Sequence, residues 1–523
     1  MKPEFESLDQ EQNYQAVTYQ TPTDTEECST DIVIIGAGGS GMVAAVRAAE
    51  CGASVMVLEK NGAPGGNAMM AVGMFALESR DQLAHGEGNY TTVEELFRQT
   101  MHTHQWKTDP RVVLRYFRNS GKLMDWLMDK GINLVPTKPP FPTQKASSLY
   151  QPPERQAPYR GKDPSHGPGF TGSTVVNLMK QEADRHSALN LLTRTKATAL
   201  LTDESGAVVG VEAVSGTKQL RIRAKSVIVA AGGVGASTEL LERFFPQYFP
   251  KDRPADFCRL SLGHSTGDGI LMAEQIGALV GENMGILIGG PTHHPWSYAV
   301  HVAHCCPENI YVNAEGRRFM SETAGMDGAA RLTAQPYGRC WSIMDSDTKE
   351  LLLEKGQKRQ IPIGNAEYIQ YFDAQFQEEL EEGRAKVARC NTLEEAAAFI
   401  GCSPEILVHT VAEYNAGCAR GTDTEFYKEA AFLRPIEKAP FYVIRGHRFF
   451  DTTHGGITIN EDLNALDTQR RPIPNLFVSG DNASGWCGQE YGPPAGSLTW
   501  AFNSGYLAGE AAALNAGHRL DCV

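Results

Sequence analysis

The segment DIVIIGAGGSGMVAAVRAAECGASVMVLEK, residues 31–60, restricts what this chain can fold into more than any other. Residues 32–35 are four apolar side chains of β-branched type, too few for a helix, which is the pattern of a buried parallel strand. Gly36, Gly38 and Gly41 follow in G-x-G-x-x-G spacing, with Gly39 and Ser40 between them. Residues 42–49 form an alanine-rich helical run, and residues 54–58 read as a second buried strand that ends at Glu59 and Lys60. Each glycine has a separate task. Gly36 allows the tight turn, Gly38 lets a pyrophosphate approach the backbone, and Gly41 lets helix and strand pack closely. The helix N-terminus then faces the phosphates. A carboxylate at Glu59 accepts hydrogen bonds from both ribose hydroxyls and repels a 2′-phosphate, so the pattern calls for FAD or NAD.

A chain of 523 residues exceeds a single simple core, so two or more domains are expected. Net charge is −14 and no lysine or arginine run could follow a phosphate backbone, which argues against nucleic acid as a partner. The 11 cysteines show no C-x-x-C and no zinc or iron–sulfur spacing, so no metal is expected. An odd number of scattered thiols fits a reducing compartment. No apolar run reaches membrane-spanning length, and residues 1–30 have neither a basic nor an apolar targeting region. The expectation is a cytoplasmic protein without a membrane span.

Residues 1–29 read as a polar N-terminal arm, followed by a first dinucleotide-binding part over 30–290. Within it, the loop holding Gly65, Gly66, Asn67 and Ala68 is built of the small residues that a flavin ring lying against backbone needs. Residues 138–172 are rich in proline, glycine and basic residues, an irregular stretch of the kind that is usually functional or mobile. Residues 190–225 predict a hairpin meander with turns at Gly206 and Gly216. SVIVAAGG then brings Ala231 and Gly232 to the dinucleotide as a second close backbone approach. Asp268 is placed as the cap of the next helix. From 291 to 439 the texture changes to strand pieces and charged helices, predicting an inserted domain, and residues 440–523 return to strand and glycine. There Asp481, after Gly480, is expected to meet a ribityl hydroxyl. The amides of Gly496, Ser497 and Leu498 are expected to face the flavin O2 at a helix start.

Several stretches together carry a family likeness: IIGAGGSGMVAA and VLEK, PGGNA, VIVAAGG, STGDGI, VNAEGRRF, NTLEEAAAFIG, THGGITI, and PNLFVSGD with GPPAGSLTWAFNSGYLAG. In these the chain resembles the soluble FAD-dependent fumarate reductase/3-ketosteroid dehydrogenase superfamily, which includes urocanate reductase. The resemblance implies an α/β fold: a three-layer Rossmann-like FAD-binding domain with an inserted α+β capping domain that closes over the substrate. It implies FAD as the cofactor. The absence of histidine from residues 65–74, where membrane relatives tether the flavin, implies that FAD is held non-covalently.

The sequence departs from the fumarate-reducing members. Met326 stands near the place of their proton-donating arginine, Asp451 at the place of a substrate-binding histidine, and Pro493-Pro494 near a carboxylate-binding arginine. Without those cations a dicarboxylate would be poorly neutralised in a closed site. The C-terminal Gly488 and Tyr491 resemble the ketosteroid dehydrogenase pattern instead. By that likeness Tyr491 polarises the substrate ketone together with an amide at Ala495 or Gly496. Tyr298, Tyr159 and Arg331 are candidates for the proton-transferring group, Tyr298 first because it is placed in the first strand of the cap. His294, Trp296 and His454 are candidate substrate contacts, and Trp486 and Phe450 candidate pocket walls. The expected reaction is hydride transfer at flavin N5 to or from a C=C/CH–CH bond conjugated to a carbonyl, in a 3-oxosteroid or other cyclic enone. Two alternatives stand beside it: reduction of a small unsaturated acid of the urocanate or cinnamate kind, with Arg331, Arg445 or Arg160 neutralising it, and a flavin-binding electron-transfer subunit. The expected partners are a small-molecule substrate and an external electron donor or acceptor.

Overall fold

The β-branched run at 32–35 forms the inner end of strand β1 (Asp24–Ile35), where Ile32, Val33 and Ile34 are fully buried. The structure, a computed structural model, describes residues 19, 21–71, 73–84, 86, 90–137, 149–151, 171–249, 257–259, 263–293, 298–324, 329–355, 366–382, 386–488 and 496–519. On one side β1 pairs in parallel with β2 (Val55–Leu58), from Ile32 opposite Val55 to Ile35 opposite Leu58. On the other it pairs in parallel with Lys218–Val229 along its whole length, Asp24 opposite Lys218 and Ile35 opposite Val229. Residues 24–29, read from sequence as part of an arm, are therefore strand. Their polar side chains hid them, because this end of the sheet is exposed.

The first sheet runs in the order Asn464–Leu466, Pro472–Val478, Lys218–Val229, β1, β2, Leu189–Leu192. All neighbours are parallel except the outer Asn464–Leu466. The early residues of Lys218–Val229 also close the expected meander with Thr195–Thr202 and Val208–Ser215, through turns in which Gly206 and Gly216 take φ of +84° and +60°. Helix α1 (Gly39–Glu50) lies on this sheet against the C-terminal helix Ser497–Asn515. The small residues of that helix explain the closeness. A Cβ on Gly505 would fall 2.2 Å from the Ser40 carbonyl oxygen, and one on Gly509 would fall 2.6 Å from that of Ala44. Helix Pro110–Asp129, capped by the Asp109 carboxylate, locks onto the same helix. Tyr116 Oη donates to the Gly496 carbonyl (2.8 Å), and Asn119 Nδ2 donates to Asn503 Oδ1 (3.0 Å).

The second sheet is built on one 14-residue strand, Phe441–His454. Phe257–Arg259, Gly285–Thr292, Arg339–Met344 and Val387–Cys390 all pair with it, and Ile310–Val312 extends the sheet beyond Arg339–Met344. The expectation of an insertion over 291–439 meets the second sheet at both of its limits. The division at 290/291 falls inside Gly285–Thr292, and Phe441–His454, assigned from sequence to the returning domain, is the centre of the second sheet. Both sheets are made of the same apolar and glycine-rich strands, so texture alone could not mark the border.

The arginine of VNAEGRRF anchors the second body from within. Arg318 is 1 % exposed and its Nη2 meets Glu322 Oε2 and Asp423 Oδ2, each at 2.9 Å, over the Tyr414 ring. Lys428 Nζ joins through the Asn309 carbonyl (2.6 Å) and Glu322 (3.5 Å). Buried charges survive only when paired in this way. Among the described residues no helix is long and apolar enough to cross a membrane.

Candidate active site

The parallel strands of the first sheet end on one cleft, the place where an open α/β sheet binds ligands. Gly36, Gly38, Gly39, Ser40, Glu59, Lys60, Gly66, Asn67, Ala68, Ala231, Gly232, Asp268, Gly480 and Asp481 all line it. Gly41 and Gly65 stand just behind. A Cβ on Gly41 would lie 1.9 Å from the Gly36 carbonyl oxygen, so Gly41 serves packing, while Gly65 N donates to the Ala37 carbonyl (2.9 Å). Gly38 differs from both. A Cβ there would meet no protein atom nearer than the Gly65 oxygen at 3.9 Å, so the fold itself does not require glycine at this position. Space for a ligand does. With the first amides of α1 beside it, this cradle fits the pyrophosphate of a dinucleotide.

Glu59 is buried and holds the glycine turn in place: Oε2 accepts from Ala37 N and Oε1 from Asn61 N, both at 2.8 Å. Each carboxylate oxygen keeps a further lone pair for a ribose hydroxyl. Lys60 is neutralised by Asp268 (Nζ–Oδ2 2.7 Å) and also donates to Thr266 Oγ1 (2.7 Å). Asp268 does not cap its helix as expected. Gly267 is the N-cap, at φ +78°, and Asp268 is the first residue of Asp268–Gln275, with its carboxylate turned to the lysine. Burial pushes that carboxyl up, but Lys60, with Lys196 at 3.7 Å, holds it below the usual range. Tyr19 closes this end by donating from its hydroxyl to the Lys60 carbonyl, and burial with the Glu59 and Asp268 charges pushes its phenol up to about 12.

Thr195, Lys196, Ala197, His264 and Ser265 also line the cleft and escaped the sequence reading. Thr195, Lys196 and Ala197 belong to no motif and arrive because Leu189–Leu192 is the parallel neighbour of β2, so the chain leaving it emerges at the same sheet edge. Ser265 opens the STGDGI stretch and His264 directly precedes it.

At the opposite end the turn after Pro472–Val478 is fixed from three sides. Ser504 Oγ accepts from Gly480 N (2.8 Å), Trp500 Nε1 donates to the Gly480 carbonyl (3.0 Å), and Thr452 Oγ1 donates to Asp481 Oδ2 (2.9 Å). His454 Nδ1 lies 3.4 Å from Asp481 Oδ1, with its ring edge-on to Trp486 at 5.1 Å. Trp486 stacks on Trp500 at 5.4 Å, and Phe450 packs against Phe249. Trp486 and Phe450, proposed as pocket walls, are 1 % exposed and belong to the core. Asp451, half-buried beside this cluster, has its carboxyl pushed up to about 6 by burial, with Asp481 adding to the effect and His454 opposing it.

Gly496 caps the C-terminal helix and Ser497 and Leu498 begin it. Tyr491, Ala495, Tyr159, His294 and Trp296 lie outside the described residues. Tyr298 opens helix Tyr298–His304 rather than lying in a strand. Arg331 is exposed, sits in helix Ala329–Thr333 and donates from Nε to the Phe319 carbonyl (3.1 Å). That bond directs it into the second body. His293 is a core histidine, held by Glu379 and by the Arg445 carbonyl at 2.8 Å.

The comparisons with known proteins agree with this geometry. The family model described as FAD binding domain matches residues 31–492. The chain is 26 % identical over 500 residues to the vinyl phenol reductase of Lactiplantibacillus plantarum, covering 93 % of this chain and 96 % of that protein. It is 30 % identical over 463 residues to the urocanate reductase of Eggerthella lenta, covering 87 % of this chain and 70 % of that one. The 3-ketosteroid Δ1-dehydrogenase of Sterolibacterium denitrificans shares the fold, with a TM-score of 0.73 at 19 % identity over 93 % of this chain and 99 % of that chain. With the sequence match, the cradle at Gly38 and the acid at Glu59 in agreement, the chain belongs to the FAD binding domain family.

Proposed function

We propose that this protein is an FAD-dependent oxidoreductase of CH–CH groups, acting on a C=C bond conjugated to a carbonyl, as in a 3-oxosteroid or another cyclic enone. The observation that supports it most is the end-to-end match to reductases of carbon–carbon double bonds, joined to a cleft with the dinucleotide fittings described above. Bound FAD would supply hydride exchange with the substrate carbon. The residues of the chain do the rest. Glu59 holds the adenosine ribose, Gly38 and the start of α1 take the pyrophosphate, and Asp481 takes a ribityl hydroxyl. The amides at Gly496 to Leu498 stabilise negative charge where it gathers, and Tyr491 polarises the substrate carbonyl. FAD is held without a covalent bond, electrons pass to or from an external carrier, and the protein works in the cytoplasm.

The 30 % identity to a urocanate reductase favours a second reading, reduction of a small unsaturated acid. One anaerobic experiment tests both. The flavin is reduced chemically and its reoxidation is followed with Δ1- and Δ4-3-oxosteroids, simple cyclic enones, 4-vinylphenol, urocanate and cinnamate. Reoxidation by the ketones is the expected result. Reoxidation by the acids alone would transfer the conclusion to the second reading, and a flavin that none of them reoxidises would refute both.

A further inference from the structure

The strand Phe441–His454 breaks register where it nears the cleft. Ile286 pairs with Thr453 and Ile288 with Phe450, so Leu287 alone faces two residues, Asp451 and Thr452. A bulge of this kind re-aims the side chains it carries. Thr452 is turned to Asp481, which lines the cleft, and Asp451 lies within the charge range of both Asp481 and His454. Among the described residues no donor reaches the Asp451 carboxyl, whereas Asp481 is held by Thr452 and approached by His454. One neighbouring strand brings Ile286, Leu287 and Ile288 to this place, and the other sets Arg259 opposite Phe450. The nearest arginine on the strand is directed elsewhere: a Cβ on Gly338 would lie 2.6 Å from Arg448 Nε, so that guanidinium rests against the Pro336–Gly338 turn.

A half-buried carboxyl with no donor among the described residues, beside a second carboxylate, is favoured as the neutral acid, and as such it is a donor seeking an acceptor. Resting on the reading that the site handles conjugated C=C bonds, we propose that Asp451 meets the substrate as a neutral carboxylic acid, donating a hydrogen bond to the carbonyl of an uncharged enone. The same corner refuses an unsaturated acid, whose carboxylate would be a further negative charge next to Asp481.

The test compares wild type with Asp451→Asn and Asp451→Ala, each first shown to retain FAD and to melt cooperatively. For a cyclic enone, wild-type kcat/KM falls as pH rises through about 6. D451N, which keeps a donor that cannot titrate, loses that limb, and D451A loses at least about a hundredfold in kcat/KM, the scale of one well-placed donor. Calorimetric binding of the saturated ketone product, which needs no turnover, tightens at low pH in wild type and is independent of pH in D451N. A limb that persists in D451N, or a wild type that reduces unsaturated acids faster than ketones, overturns the inference and leaves the C=C chemistry standing. Failure of every alkene to reoxidise the flavin would instead bring down the underlying reading, and this inference with it.

Discussion

Two acidic residues show how environment divides the work of one functional group. Glu59 is surrounded by amide donors and serves as an acceptor, so Glu59→Ala removes the tie to Ala37 and Asn61 together with the ribose contact proposed above. Hydrogen bonds to a charged group are worth about 1.5–3 kcal/mol, so FAD affinity, measured by reconstituting the apoprotein, falls by roughly ten- to a hundredfold. Asp451 has no donor among the described residues, and its folded value of about 6 lies above the 3.8 of the free side chain. The folded state therefore binds the proton more tightly than the unfolded state. Ionising Asp451 costs nothing below about pH 4, costs progressively more between 4 and 6, and costs its full amount above. Denaturant unfolding of Asp451→Asn then shows a gain of at most about 3 kcal/mol over wild type at pH 7 and almost none at pH 4. Glu59 was legible in the sequence because its partners lie within a local motif. Asp451 was legible only as a departure from a family pattern, since its lack of donors is a property of three segments brought together by folding.

At the scale of elements, the close crossing of α1 and the C-terminal helix ties cofactor retention to packing. Gly505→Ala sets a methyl group 2.2 Å from the Ser40 carbonyl, and the helices must separate. Overpacking of this size costs about 1–3 kcal/mol. Because Ser504 also holds Gly480, the same substitution is expected to release FAD at a lower temperature than wild type does, read from flavin fluorescence during melting. The first strand–helix–strand unit and the meander were legible from periodicity and glycine spacing, which are local signals. The contribution of Thr195 and Lys196 to the cleft was not, because it depends on the strand order of the sheet, and strand order is set by long-range pairing.

At the scale of the whole molecule, buried and exposed ion pairs of the second body differ in what they contribute. Removing one partner from the buried network of the second body, by Arg318→Ala, takes the arginine from Asp423 and leaves Glu322 with Lys428 alone, and costs about 3–5 kcal/mol. The exposed pair Lys438–Asp347, at 2.6 Å, is a control. Its loss in Lys438→Ala costs no more than about 1 kcal/mol by the same denaturant titration. An inserted body was foreseeable from the change of texture near residue 291, but its border was not, because the strand that makes its centre has the composition of the other sheet. That strand has a consequence for measurement. Its early residues pair with Arg339–Met344 and Val387–Cys390, its later ones with Phe257–Arg259 and Gly285–Thr292, and Thr452 near its end bonds Asp481. With FAD bound as proposed above, this strand would couple the second sheet to the surroundings of the flavin. A ligand that shifts that sheet without reacting should therefore register as a saturable change in flavin colour, giving the protein an optical gauge for occupancy that requires no catalysis.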